Sequence, residues 1–155
     1  MKSLYFKTLK IMVCLLICIS SSPGIAQIQF DEVTGTTFDG VWRSSIEFDD
    51  VDDDGDQDVL ITGENNSNQR IAKLYTNDGS SSFTEALTTP FDGVSSGSIA
   101  FADVNGDSHK DMLITGRNSS SQRIAKLYTN NGSGNFFIVT GTPFEGVMTS
   151  SIAFA

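Results

Sequence analysis

Two acidic segments that lie 53 residues apart carry side-chain oxygens at the same positions. We call residues 50–58 the first acidic loop and residues 103–111 the second acidic loop. Oxygens recur at positions 1, 3, 5 and 9 of each loop, at Asp50, Asp52, Asp54 and Asp58 and at Asp103, Asn105, Asp107 and Asp111. Calcium takes about six to eight oxygen ligands, so a short loop with this spacing is typical of a site for a hard cation.

The charge of the first acidic loop also favours a bound cation. Two unit charges about 4 Å apart repel by about 4 kcal/mol at an effective dielectric of about 20. Calcium accepts a flexible oxygen cage, whereas magnesium demands tighter octahedral geometry. Zinc prefers histidine or cysteine, and His109 is the only histidine of the chain. The residues therefore predict calcium; the alternative is that these segments are solvated Asp/Asn turns without a metal.

The N-terminus has the pattern of an export signal. A lysine-rich start and an apolar run over residues 11–19 are followed by small residues at Gly24 and Ala26. This order predicts a signal peptide over residues 1–26. The apolar run is shorter than the ~20 residues that a membrane span requires. We therefore expect a secreted or cell-surface protein without a membrane span.

The chain after residue 26 is acidic and has no cysteine. Both cysteines and three of the ten basic residues lie in the predicted signal peptide, which leaves seven basic residues against nineteen acidic ones. Without cysteine this part forms no disulfide and performs no thiol catalysis. Nucleic acids and anionic membranes call for a basic patch, so we exclude them as partners.

The repeat extends well beyond the acidic loops. Residues 69–79 return as residues 122–132 with one change, Asn131 for Asp78, and nine of the eleven phenylalanines recur at the 53-residue period. Such aromatics are expected to form equivalent packing layers between units. Each unit contains four short strand-like segments, which in the first unit are residues 45–48, 59–62, 71–75 and 83–85. This pattern predicts an all-β fold of four-stranded antiparallel β-propeller blades, with a parallel β-helix as the weaker alternative.

The repeat is incomplete at both ends of the chain. Residues 28–33, which include Phe30, correspond to the last strand of a unit, and Ala155 corresponds to the residue just before an acidic loop. We therefore expect about two complete blades plus partial ones, within a repeat region at 27–155 that is truncated at its C-terminus. A closed propeller uses about four to eight blades, so the chain is expected to be part of a larger propeller.

These motifs resemble the FG-GAP or VCBS repeats, the family of the integrin α-subunit propellers. The resemblance is carried by the acidic loops, each followed by an apolar strand, and by the turns at residues 77–83 and 130–136. It implies a calcium ion in the hairpin between the first two strands of each blade. The side chains named above would be ligands, together with the backbone carbonyls of Asp56 and His109. The family usually has glycine at position 6 of the loop, where Ser108 stands, and Asn105 removes one charge, so we expect the second site to be weaker.

The sequence leaves two classes of function open. The first is an exported calcium-binding propeller module for protein or carbohydrate interaction or adhesion. The second is the non-catalytic propeller portion of an extracellular hydrolase or lyase. The chain has no Ser/His/Asp constellation and no carboxylate pair outside the acidic loops, so we expect no enzymatic activity of its own. Propellers serve both purposes, and the fold alone does not decide between them.

Overall fold

The computed structural model describes residues 32–35 and 38–154, and all its regular structure within those ranges is β-strand. The predicted signal peptide and Phe30 lie outside the described residues. Within the described ranges, no helix is long and apolar enough to cross a membrane.

The eight strands form two four-stranded antiparallel sheets, each in simple sequential order. The first blade comprises β1 (Val41–Asp49), β2 (Asp58–Asn65), β3 (Arg70–Asn77) and β4 (Phe83–Glu85). The second blade comprises β5 (Val94–Ala102), β6 (Asp111–Asn118), β7 (Arg123–Asn130) and β8 (Phe136–Ile138). The all-β, blade-forming architecture expected from the repeat is confirmed. The first three strands of each blade are longer than the alternating segments alone indicate, because they continue into polar positions that complete the hydrogen-bonded ladders.

The first strand of each blade contains the same bulge. The register shifts between Trp42 and Ser45 in β1, and again at the equivalent place in β5. The bulged residues, Arg43 and Ser96, have φ values of 51° and 53°. Thr149, a further 53 residues along, has a φ of 54°. An extra residue in one strand bends it locally, so β1 and β5 are bent at the same position.

A third unit begins beside the second blade. Val147 forms an antiparallel bridge with Ile124 of β7, and the amide of Thr149 donates to the carbonyl of Ser96 at 2.6 Å. Gly146 lies so close to β7 that a Cβ atom there would collide with the carbonyl of Arg123, as one at Gly93 would with the carbonyl of Arg70. Glycine therefore permits each new unit to start against the preceding blade.

The second strand of each blade is buried on both faces, as expected for a sheet packed between neighbours. In β2, Leu60 belongs to a core cluster shared by both blades, whereas Val59 and Ile61 face a smaller cluster that also contains Tyr75. The shared cluster draws on the first acidic loop and on β2, β3 and β5–β8. The two blades are thus joined by one continuous apolar core.

The repeated phenylalanines mainly meet within a blade. The rings of Phe38 and Phe83 lie edge-on with centroids 5.1 Å apart, and those of Phe91 and Phe136 repeat the contact at 5.2 Å. The expectation of phenylalanine layers between units therefore needs refinement. Each pair joins a residue that precedes the first strand of a blade to the last strand of the same blade. In the second pair, Phe136 belongs to the shared core and Phe91 packs against it.

Equivalent residues differ in exposure according to whether a neighbouring blade covers them. Val51, at position 2 of the first acidic loop, is fully buried in the shared core, whereas Val104 at the same position of the second loop is 43% exposed. Conversely, Ile99 of β5 is 3% exposed while Ile46 of β1 is 52% exposed. The contact between the two blades, not the residue type, accounts for both differences.

Substitution of Val51 tests the shared core. Val51→Ala in the full-length protein should lower the free energy of unfolding by about 1–3 kcal/mol, because it opens a cavity in packed surroundings. Leu87→Ala, at an apolar side chain that is 84% exposed, is the control and should change it by less than about 0.5 kcal/mol. Urea unfolding measures both values. Equal losses would show that the first acidic loop does not anchor the second blade.

Candidate metal centre

The first acidic loop joins β1 to β2 and is wound around the carboxylate of Asp50. That carboxylate accepts hydrogen bonds from the amides of Asp54 and Gly55 at 3.1 and 2.9 Å. Asp54 in turn accepts the amide of Asp56 at 2.9 Å. Asp53 and Gly55 have positive φ values of 61° and 94°, which let the backbone turn its amides inward.

The second acidic loop, between β5 and β6, repeats this winding with different residues. Asp103 accepts the amides of Gly106 and Ser108 at 2.6 and 2.9 Å, and these hydrogen bonds, the Gly106 one first, lower the pKa of its carboxyl. Ser108 has a φ of 74°, so the left-handed backbone expected at position 6 is present despite the serine. Such a conformation costs a non-glycine residue about 1–2 kcal/mol.

The last aspartate of each loop is buried and ties the loop to its own blade. Asp58 accepts the amide of Val51 at 2.9 Å with one oxygen and that of Asn77 at 2.8 Å with the other. Asp111 accepts the equivalent amides at 3.0 and 2.9 Å, from Val104 and Asn130. The spacing indicated a ligand at position 9, but it did not reveal this structural role. Both donors are backbone amides, so no residue type in the sequence signals this role.

Three carboxylates of the first loop converge. Asp50, Asp52 and Asp58 each offer an oxygen within 4.8 Å of the others, and no other group of three such ligands is found in the described part of the chain. Oδ1 of Asp52 is buried and has no hydrogen-bond partner among the described residues. Burial first, and then repulsion from Asp54 and Asp50, raises the pKa of Asp52. Burial likewise raises the pKa of Asp58.

These observations fit a hard divalent cation. The donors are all oxygens, which calcium prefers, and the buried orphan oxygen of Asp52 lacks the partner that a buried polar atom ordinarily has. Asp54 lies next to the group and, like Asp50, accepts a backbone amide.

The second acidic loop is assembled differently. The side-chain amide of Asn105 donates to Asp107 at 2.8 Å, so these two predicted ligands satisfy each other. The His109 side chain points away from its own loop: its Nδ1 lies 2.6 Å from Oδ2 of Asp53 in the first loop. The structure therefore brings together three of the predicted side-chain ligands in the first loop and no equivalent carboxylate group in the second, within the described residues.

Three of the four repeated basic residues make structural contacts. Lys73 bridges Asp39 and Glu85 at 2.6 and 3.0 Å, and these hydrogen bonds, Asp39 first, raise its pKa. Lys126 pairs with Asp92 at 2.5 Å in the second blade. Arg70 donates across the blade boundary to Ser95 and to the carbonyl of Asn118 at 3.1 and 2.6 Å, respectively. These side chains support the sheets and their junction.

A cleft lies away from the acidic loops. It has a volume of about 380 Å³ and is lined by residues of the β2–β3 connection, the start of β3 and Ser119. It lies at the other end of the strands from the β1–β2 hairpin.

The fold and the loops define a propeller-type repeat protein with an acidic hairpin in each blade. Residues 50–114, from the first acidic loop into β6, match the family described as FG-GAP-like repeat. The chain thus carries an FG-GAP-like repeat, and the resemblance seen in its motifs is confirmed over that segment. No curated protein and no solved structure matches the chain.

The structural role of the position 9 aspartates can be tested directly. Asp58→Ala and Asp111→Ala should each destabilise the full-length protein by about 2–4 kcal/mol even in chelator, because each strands two backbone amides. Asp54→Ala, an exposed member of the same loop, is the control and should cost less than about 1 kcal/mol under those conditions. Chemical denaturation in EGTA measures the differences. Tolerance of Asp58→Ala in EGTA would contradict the structural role.

Proposed function

We propose that this chain is an exported, calcium-binding β-propeller repeat module that serves in interaction or adhesion with an extracellular protein or glycan. The observation that carries the calcium assignment is the convergence of the carboxylates of Asp50, Asp52 and Asp58. One oxygen of Asp52 is also buried and has no hydrogen-bond partner among the described residues. Asp54 and the carbonyl of Asp56 are the further ligands that the repeat family implies.

The role of the ion follows from the charges that surround it. A divalent cation would neutralise carboxylates that otherwise repel and would cross-link the β1–β2 hairpin. The raised pKa of Asp52 has that repulsion among its causes. The ion would therefore be structural, holding the loop edge of the blade in one conformation.

The second acidic loop is proposed as a weaker calcium site. Asp103, Asn105, Asp107 and Asp111, with the carbonyl of His109, are its candidate ligands. It has one carboxylate fewer at the ligand positions, and Asn105 must release Asp107 before both could face a cation. A lower charge count and a rearrangement on binding both weaken affinity.

Calorimetry on the full-length protein tests the assignment. Calcium should bind with a Kd of about 10⁻⁴–10⁻³ M, the range of extracellular modules. Asp52→Asn preserves the size of the side chain but removes its charge. It should abolish calcium binding at the first acidic loop, the tighter of the two proposed sites. Asp78→Asn, on the neighbouring turn, is the charge-matched control and should leave both.

Thermal unfolding gives an independent measure of the same site. At 10 mM calcium, a site of this affinity should stabilise the protein by about 1.4–2.7 kcal/mol. The part of this gain due to the first site should disappear in Asp52→Asn. If Asp52→Asn binds calcium as the wild type does, the assignment of the first loop is wrong.

The interaction role is supported by the near-identity of the repeats, which suits a structural array better than one unique catalytic site. Lys73, Lys126 and Arg70 are each engaged in contacts within or between blades. Arrays of glycans and extracellular matrix proteins, probed with full-length protein, should reveal a ligand whose binding falls at least threefold in EGTA. Asp52→Asn should reproduce that loss and Asp78→Asn should not. Cleavage of a glycan by hydrolysis or elimination would instead favour the alternative function, the propeller portion of an extracellular hydrolase or lyase.

A further inference from the structure

The first acidic loop is held from outside its own blade, at the residue between two of its candidate ligands. The carbonyl of Val51 accepts a hydrogen bond from the side-chain amide of Asn130 at 2.7 Å and one from the backbone amide of Gly134 at 3.0 Å. Asn130 ends β7 of the second blade, and Gly134 lies in the turn that joins β7 to β8. Asp50 and Asp52 flank the clamped residue directly.

The surroundings of this contact are closed. The side chain of Val51 is fully buried in the shared core, and Asn130 is 4% exposed. Gly134 approaches closely enough that a Cβ atom there would lie 3.8 Å from Cβ of Asp52. Two further side chains complete the junction, since His109 of the second blade contacts Asp53 of the first loop. Positions 2 and 4 of the loop therefore contact the second blade, and position 3 lies beside it.

The repeat itself supplies a comparison for this arrangement. Asn77, the counterpart of Asn130 in the first blade, donates its side-chain amide within its own blade, to the carbonyl of Gln57 at 3.2 Å. Val104, the counterpart of Val51, is substantially exposed. Among the described residues, only the first loop has a neighbouring blade against it. The same sequence motif is therefore present once with this external support and once without it.

We propose that Asn130 is a positioning residue for the first acidic loop, and that ion binding in this loop and docking of the second blade stabilise each other. By holding the Val51 carbonyl, Asn130 fixes the backbone that sets the separation of the Asp50 and Asp52 carboxylates. A loop ordered in advance loses less conformational freedom when an ion binds. Coupling of binding free energies is reciprocal, so the ion must strengthen the blade junction by the same factor.

The positioning role of Asn130 needs no metal, whereas the coupling between ion binding and blade docking rests on the calcium site proposed above. Amide hydrogen exchange of the full-length protein in EGTA tests the positioning role. Asn130→Ala should speed exchange of the Gly134, Asp54 and Gly55 amides about tenfold relative to those of the second loop. Asn135→Ala is the control from the same turn, because among the residues that the structure describes Asn135 donates only to Asn131 and Ser133, within that turn. It should leave the first loop unchanged.

Calcium titration followed by NMR tests the coupling. The amide of Gly55 reports on the first acidic loop and the amide of Gly106 on the second. Asn130→Ala should weaken binding in the first loop about three- to tenfold and leave the second within twofold. A merely structural loss would move both loops together. In the wild type, calcium should slow exchange of the Gly134 amide by the same three- to tenfold factor, a measurement that requires no substitution.

The outcomes separate the two proposals. First-loop amides that exchange at the wild-type rate in Asn130→Ala would overturn the positioning role. An unchanged Gly134 amide on calcium saturation would overturn the coupling. Absence of calcium binding to the wild type would overturn the proposed function and the coupling, while the exchange data in EGTA would still decide the role of Asn130.

Discussion

The buried carboxylate at the start of the second strand is the interaction on which each blade depends. Burying an ionised group is costly unless it is well hydrogen-bonded. Asp58 meets this requirement with the amides of Val51 and Asn77, and Asp111 repeats the arrangement. One of these amides belongs to the β1–β2 hairpin and the other to the end of β3. The carboxylate therefore joins the acidic loop to the β3–β4 turn, and the two connections at this edge of the blade become a single unit.

Packing between blades adds a second layer of organisation. In a repeat protein the stability is approximately the sum of the units and their nearest-neighbour interfaces. Here the interface includes the shared core, the reach of Arg70 into the second blade and the contacts on Val51. The bulge recurs in the first strand of both blades, and Thr149 repeats the positive φ value of the bulged residue. Each unit therefore has the same local shape, and its surroundings decide which of its apolar residues are covered.

The two acidic loops show how small changes alter a common scaffold. Each needs left-handed backbone at positions 4 and 6, and each provides only one glycine for these two positions, at Gly55 or at Gly106. The first loop has the greater carboxylate density and an unpaired buried oxygen, whereas Asn105 in the second loop satisfies Asp107. The sequence predicted that the two loops differ in charge. In the structure they also differ in internal hydrogen bonding, which leaves an oxygen available to a cation in the first loop and engages Asp107 in the second.

The sequence by itself determined the architecture of the blades and the location of the acidic loops. A strict 53-residue period, alternating apolar residues and turn residues are local signals, and they placed every one of the four strands in a unit. They also identified the family segment and the residues at which oxygens recur. Boundaries were extended in the structure because strand ends are decided by ladder hydrogen bonds, to which polar residues contribute as readily as apolar ones.

Only the tertiary structure decided what the repeated residues do. Val51 and Val104 occupy the same place in the motif, yet one is core and the other is surface. Asn77 supports its own blade while Asn130 reaches the preceding one. A sequence period assigns equal roles to equivalent positions, because it records the chain and not its neighbours. Burial and cross-blade hydrogen bonds depend on which blade lies alongside, and that is a property of packing between units.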